Sequence, residues 1–106
     1  MSEQEKKDEG PFDWDPIKAE ENIENHKISF EEAKTVFKDP HNFFDYDDEH
    51  SYDEDRYNVI GFSSVARLLI VCHCYRTRDR VKIIRIISAR KANKQERKWY
   101  EQGGKF

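Results

Sequence analysis

The segment Leu68 to Tyr75, LLIVCHCY, constrains this chain most, because it is apolar at nearly every position and so on both faces of a strand. Strand side chains alternate between faces, so such a segment belongs in the centre of a sheet rather than at its edge. Arg56 to Phe62 precedes it across a turn at Ser63-Ser64, and Arg80 to Ile87 follows across a turn at Thr77-Arg78-Asp79. Three such runs at hairpin spacing predict an antiparallel meander. Phe43 and Phe44 suggest a further short strand, divided from the meander by an acidic loop from Asp45 to Asp55.

Helix signals flank these strands. Asp15 can cap a helix that has Pro16 at its first position, where the missing donor costs nothing, and that runs to His26. Its apolar side is thin, which predicts a surface helix. Ser29 with Glu32 reads as a capping box, Ile28 with Ala33 as its hydrophobic staple, and Asp39-Pro40 as the stop. A last helix opens near Asn93, with Glu96 placed for a second capping box, and ends at Gly103-Gly104. Phe12-Asp13-Trp14 is either a short strand or an extended lead-in carrying two aromatics to the core. The expected fold class is α+β: an antiparallel sheet of about four strands, two N-terminal helices and one C-terminal helix. Residues 1–11 read as a flexible tail and 12–106 as a single domain.

The net charge of −3 conceals a strong asymmetry. Residues 1–55 hold 6 Lys and Arg against 19 Asp and Glu, whereas residues 56–106 hold 13 against 3. Either the halves neutralise each other on folding, or a basic face is offered to a polyanion such as RNA. No run of about 18 apolar residues suggests a membrane span, and the N-terminus lacks the apolar stretch of a secretory signal. Two cysteines do not make a disulfide framework, so a reducing cytoplasm fits best. Glycine-rich phosphate loops are missing, which argues against a nucleoside-triphosphate enzyme.

The richest site signal is RIISARKANKQERKWY, residues 85–100, which gathers Arg85, Arg90, Lys91 and Arg97 around a strand-to-helix junction suited to an anion. Arg85 shares a strand face with Val81, Ile83 and Ile87. There it pairs with a carboxylate, snorkels to water at the sheet's rim, or serves as a rigid phosphate fork. Lys18, Asn22 and His26, each four residues from the next, form a stripe that suits a sugar–phosphate backbone, and His26 is its proton-transfer candidate. Cys72-His73-Cys74 does not read as a zinc site, because on a strand the histidine points away from both cysteines. The acidic loop lacks EF-hand spacing. No metal and no cofactor is expected.

Four segments together carry a family resemblance: FDWDPIKAEENIENH (12–26), ISFEEAKTVFKDP (28–40), EDRYNVIGFSS (54–64) and RIISARKANKQERKWYE (85–101). In these the chain resembles the BrnT-type toxins of bacterial type II toxin–antitoxin systems. It departs from their pattern after the first helix, where Asn25-His26-Lys27 replaces Lys-His-Gly. The resemblance implies a RelE-like fold and a metal-independent endoribonuclease that drives a ribose 2′-OH against the adjacent phosphate. It also implies a ribbon–helix–helix antitoxin of the BrnA type, with operator DNA bound only through the complex. On this reading His26, Glu54, Arg56 and Arg85 are catalytic, while Lys18, Asn22, Arg90, Arg97 and Tyr100 hold RNA. The antitoxin would cover the cationic strand faces and the loop 45–55 would stay outward. The alternative is a relative that binds RNA or antitoxin without cleaving.

Overall fold

A computed structural model describes residues 10–104; the tail expected over 1–11 lies mostly outside the described residues. The strands are β1 (Phe12–Asp13), β2 (Phe43–Tyr46), β3 (Tyr57–Phe62), β4 (Leu68–Arg78) and β5 (Val81–Lys91). They form one five-stranded sheet in the order β1-β5-β4-β3-β2. The meander is present and β4 is central, as its double-sided apolarity requires. The expectation of about four antiparallel strands is corrected by β1, which pairs parallel to β5 through Phe12↔Ile84 and Asp13↔Arg85 and makes the sheet mixed. The β4–β5 turn is also tighter than expected. Asp79 and Arg80 both take positive φ, 52° and 67°, as a two-residue turn matched to the strand twist demands.

Three helices cover the sheet: α1 (Pro16–His26), α2 (Phe30–Ala33, continued by a 3-10 turn over Lys34–Lys38) and α3 (Lys94–Glu101). Asp15 caps α1 by accepting from the Ile17 amide. Ser29 caps α2 by accepting from the Glu32 amide at 3.0 Å. The second half of that capping box is absent, because the Glu32 carboxylate turns instead to Arg67 Nε at 3.0 Å and to the Ser63 hydroxyl at 2.7 Å. The box on α3 is complete, with Asn93 and Glu96 satisfying each other's backbone amides.

Side-chain alternation divides the core between two faces. The inner face of α1 and α2 meets Val59, Leu69, Val71, Ile84, Ile86 and Ala89 around Phe30, Val36 and Phe37. On the opposite face Ile60, Leu68 and Ile70 pack beneath Trp99 and Tyr100 of α3. Only one end of this second face is covered by α3. Gly61 lets the helical layer approach closely, since a Cβ there would lie 3.0 Å from Val36 Cγ1.

Asn22 closes the edge of β5 beyond β1. It is 6% exposed. Its amide nitrogen donates to the carbonyls of Ile28 and Ala89, each at 2.9 Å, and its oxygen accepts from the Ala89 amide at 3.0 Å. The side chain thus imitates the missing neighbouring strand at Ala89. Immediately after α1, Lys27 adopts a left-handed conformation (φ 61°), its amide bonded to the Ile23 carbonyl. A left-handed helix end suits a residue without Cβ, the glycine that the resemblance would place here.

Candidate active site

The face only partly covered by α3 holds a cleft of about 250 Å³. Its floor follows from register. Asn58, Cys72 and Ser88 stand in one row across β3, β4 and β5, and Ile60, Ile70 and Arg90 in the next. Between Cys72 and His73 the register shifts, so that Ile87 is the extra residue and joins Ser88 in lining the cleft. Such a bulge re-aims side chains where pairing alone would not. The wall is Asp47, Glu49 and His50 from the acidic loop, with Arg56 just before β3.

That wall sets part of the acidic loop, which was expected to stay outward, beside the cleft, although most of the loop is exposed. The Asp47 amide donates to the Arg56 carbonyl at 2.9 Å, the Arg56 amide donates to Ser51 Oγ at 2.9 Å, and Glu54 pairs with Arg76 on β4 at 3.2 Å. Part of the charge asymmetry is therefore neutralised across this face.

Within the cleft, His50 Nδ1 lies 2.9 and 3.1 Å from the two oxygens of Asp47. The Asp47 side chain is 11% exposed and that of His50 57% exposed. A fixed carboxylate thus orients a solvent-accessible imidazole. Arg56 is half-buried and forms no ion pair among the described residues. Arg90 is held by a two-pronged pair with Glu96, both contacts at 2.9 Å. That hydrogen bond raises Arg90 above its ordinary value and lowers Glu96 below its own. Guanidinium carries five donors, so Arg90 retains some for a ligand while its plane is locked. Burial, and after it the Asp47 charge, push the Cys72 thiol up to about 11, so it sits in the floor as an uncharged group. Cys72 and Cys74 do share one face with His73 on the other, packed among aromatic rings.

The residues predicted from sequence divide between the two faces. Arg56 and Arg90 line the cleft. Arg85 points to the same face but pairs with Asp13 at 3.2 Å, which is the carboxylate-paired reading of that residue. Glu54 lies nearby, bound to Arg76. Lys18 and His26 are exposed on α1, against the opposite face, and do not meet these groups. Asn22 has spent its amide on backbone, which assigns it a structural role. Arg97 is exposed on α3, over the Phe62 ring. Tyr100 donates its hydroxyl to Asp39 at 2.6 Å and stacks near Phe43. Burial, and then that hydrogen bond, push the phenol up to about 12.

Sequence reasoning missed Asp47, His50, Asn58 and Ser88. The signal for the first two was the spacing of three residues, which places both side chains on one side of a helical turn. They fall at the 3-10 turn Asp48–His50. As assembled, the cleft offers cations for a phosphate and a carboxylate-oriented imidazole for proton transfer.

Among curated proteins no match is found. A family model described as "Ribonuclease toxin, BrnT, of type II toxin-antitoxin system" matches residues 14–96.

Proposed function

Because the chain belongs to the BrnT family of type II ribonuclease toxins, we propose that it is a metal-independent endoribonuclease whose scissile phosphate sits between Arg56 and Arg90. The observation that carries this reading is the half-buried Arg56, without an ion pair among the described residues, in a cleft shared with a second, rigidly held arginine. A pentacoordinate phosphorane carries more negative charge on its equatorial oxygens than the starting diester. Fixed guanidinium donors therefore stabilise it more than the ground state. Arg76 and Arg85 extend positive charge along the same face and would track the neighbouring phosphates. The reaction forms a bond from a ribose 2′-oxygen to phosphorus and breaks the bond to the 5′-oxygen, leaving a 2′,3′-cyclic phosphate and a 5′-hydroxyl.

In this proposal residues 12–106 act as one RelE-like toxin domain in the cytoplasm. Among the described residues no helix is long and apolar enough to cross a membrane. A family antitoxin, taken here to be of the ribbon–helix–helix type, silences the protein by covering the cleft face, and operator DNA is reached only through that complex. Controlled expression in bacteria, with and without the neighbouring reading frame, tests the whole scheme. Growth arrest with RNA breakdown, rescued by the neighbour and undiminished by chelator in vitro, is the expected result. Intact RNA at full soluble expression refutes it.

A second reading, binding without cleavage, has one observation in its favour. Arg76, Arg85 and Arg90 each already carry a carboxylate partner, Glu54, Asp13 and Glu96. RNA affinity without cyclic-phosphate products identifies that case.

A further inference from the structure

We infer that His50, held by Asp47, is the general base that takes the 2′-hydroxyl proton. The inference rests on the ribonuclease reading above and replaces the proton-transfer role read from sequence for His26 and the catalytic role read for Glu54. His26 is exposed at the end of α1, which packs against the face opposite the cleft. Glu54 is tied to Arg76 through both carboxylate oxygens, at 3.2 and 3.3 Å. His50 alone among the histidines lines the cleft together with Arg56 and Arg90.

The geometry suits the task. Nδ1 faces both oxygens of Asp47, which fixes the neutral ring as the tautomer with its proton on Nδ1 and leaves Nε2 as the acceptor. Asp47 is largely buried and stays in place through its backbone bond to Arg56, whereas the His50 ring is accessible to substrate. Nε2 takes the proton as the 2′-oxygen bonds to phosphorus, and the resulting imidazolium is stabilised by the Asp47 carboxylate. The phosphorus–5′-oxygen bond then breaks. The leaving oxygen takes its proton from a water molecule, and the imidazolium returns its own to the hydroxide so formed. The charged and titratable groups around the ring are Asp47 and Glu49 of the loop, Arg56 before β3, Cys72 on β4 and Arg90 on β5.

The test is the pH dependence of kcat/KM for an RNA oligonucleotide, measured on the full chain and its His50→Gln variant. Affinity for a 2′-deoxy analogue is followed in parallel. For the wild type the expected profile rises with unit slope on the acid side and then levels. His50→Gln is expected to lose that slope and about 10²–10⁴-fold in rate, the usual range for a general base, with analogue affinity unchanged. Asp47→Asn should keep the slope at reduced rate. A second substrate carrying sulfur as the 5′ leaving atom, which departs without a proton, should be cut by His50→Gln as poorly as ordinary RNA. Restored cleavage of that substrate makes His50 the acid and overturns the assignment. Full activity of His50→Gln with the wild-type slope overturns it too, while leaving the ribonuclease reading intact. A wild-type chain that cuts nothing overturns both.

Discussion

Replacing Asn22 by alanine separates a structural role from an RNA-binding one. The side chain makes three buried hydrogen bonds, at 2.9, 2.9 and 3.0 Å, to backbone groups of Ile28 and Ala89. The variant strands the Ala89 amide and two carbonyls at once. A buried polar group left without a partner costs about 1–3 kcal/mol, reduced wherever a water reaches it. Allowing for water at the sheet edge, the expected loss is about 3 kcal/mol. For a domain of this size each kcal/mol lowers the melting temperature by roughly 4–8 °C, so the midpoint should fall by about 15 °C. Asn22→Asp should lose at least as much at neutral pH, because it sets a carboxylate against the same two carbonyls. Urea unfolding monitored by circular dichroism supplies the free energy, and RNA binding is measured well below the new melting point. A loss under about 1 kcal/mol, or weakened RNA binding at unchanged stability, would falsify the backbone-clamp argument.

Four other expectations follow from the same contacts. Arg56→Ala should lower RNA cleavage by two or more orders of magnitude, about the effect of removing one charged transition-state donor, without moving the melting temperature; an unchanged rate sinks the phosphate site. Lys27→Gly should stabilise the fold by about 0.5–1 kcal/mol, since relief of the left-handed strain outweighs the added freedom of the unfolded chain, and differential scanning calorimetry reads the shift. Glu32 is held below its ordinary value chiefly by hydrogen bonding from Arg67, against the opposing effect of burial. Its contribution is thus present above the ordinary carboxylate range and disappears as pH falls through the folded value. Urea midpoints for Glu32→Gln between neutral and acid pH should therefore fall less than those of the wild type; parallel curves exclude the linkage. Tyr100→Phe should destabilise by about 1–2 kcal/mol through loss of its hydrogen bond to Asp39 while RNA cleavage persists, and loss of cleavage in a folded variant would restore the RNA-contact role read from sequence.

Features written in a few neighbouring residues were legible before the structure. The Asp15 and Asn93 caps set the starts of α1 and α3, and the double-sided apolarity of Leu68 to Tyr75 placed β4 at the centre. What escaped depends on partners distant in the chain. β1 is two residues long, and only its pairing with Ile84 and Arg85 makes it a strand. Asn22 sits in a visible polar stripe, yet its burial is decided by Ala89, 67 residues away. Glu32 completed the pattern of a capping box, but Arg67 competed successfully for its carboxylate. For the site, Arg56 and Arg90 were recognisable as cations in strand-flanking positions. His50 was hidden by composition: a loop so rich in aspartate reads as solvated, and nothing local says that it folds back over a cationic face.

The two-residue turn at Asp79-Arg80 also sets an order of events during synthesis. β4 and β5 need only that turn to register from Arg78↔Val81 back to Leu69↔Lys91, a loop closure far shorter than the one joining Asn22 to Ala89. Closure entropy grows with the length enclosed, and a hairpin of this kind zips within microseconds, so it forms ahead of the contacts that bring α1 and β1 to it. On the ribosome, however, both strands emerge after β1, α1 and α2, which must dock on them. β1 and α1 wait, without a sheet to cover, until β5 has left the exit tunnel. The cleft draws on residues from Asp47 to Arg90, so a nascent chain cannot assemble it before Arg90 has emerged. A protein directed against RNA is thereby without its candidate site until β5 has cleared the ribosome.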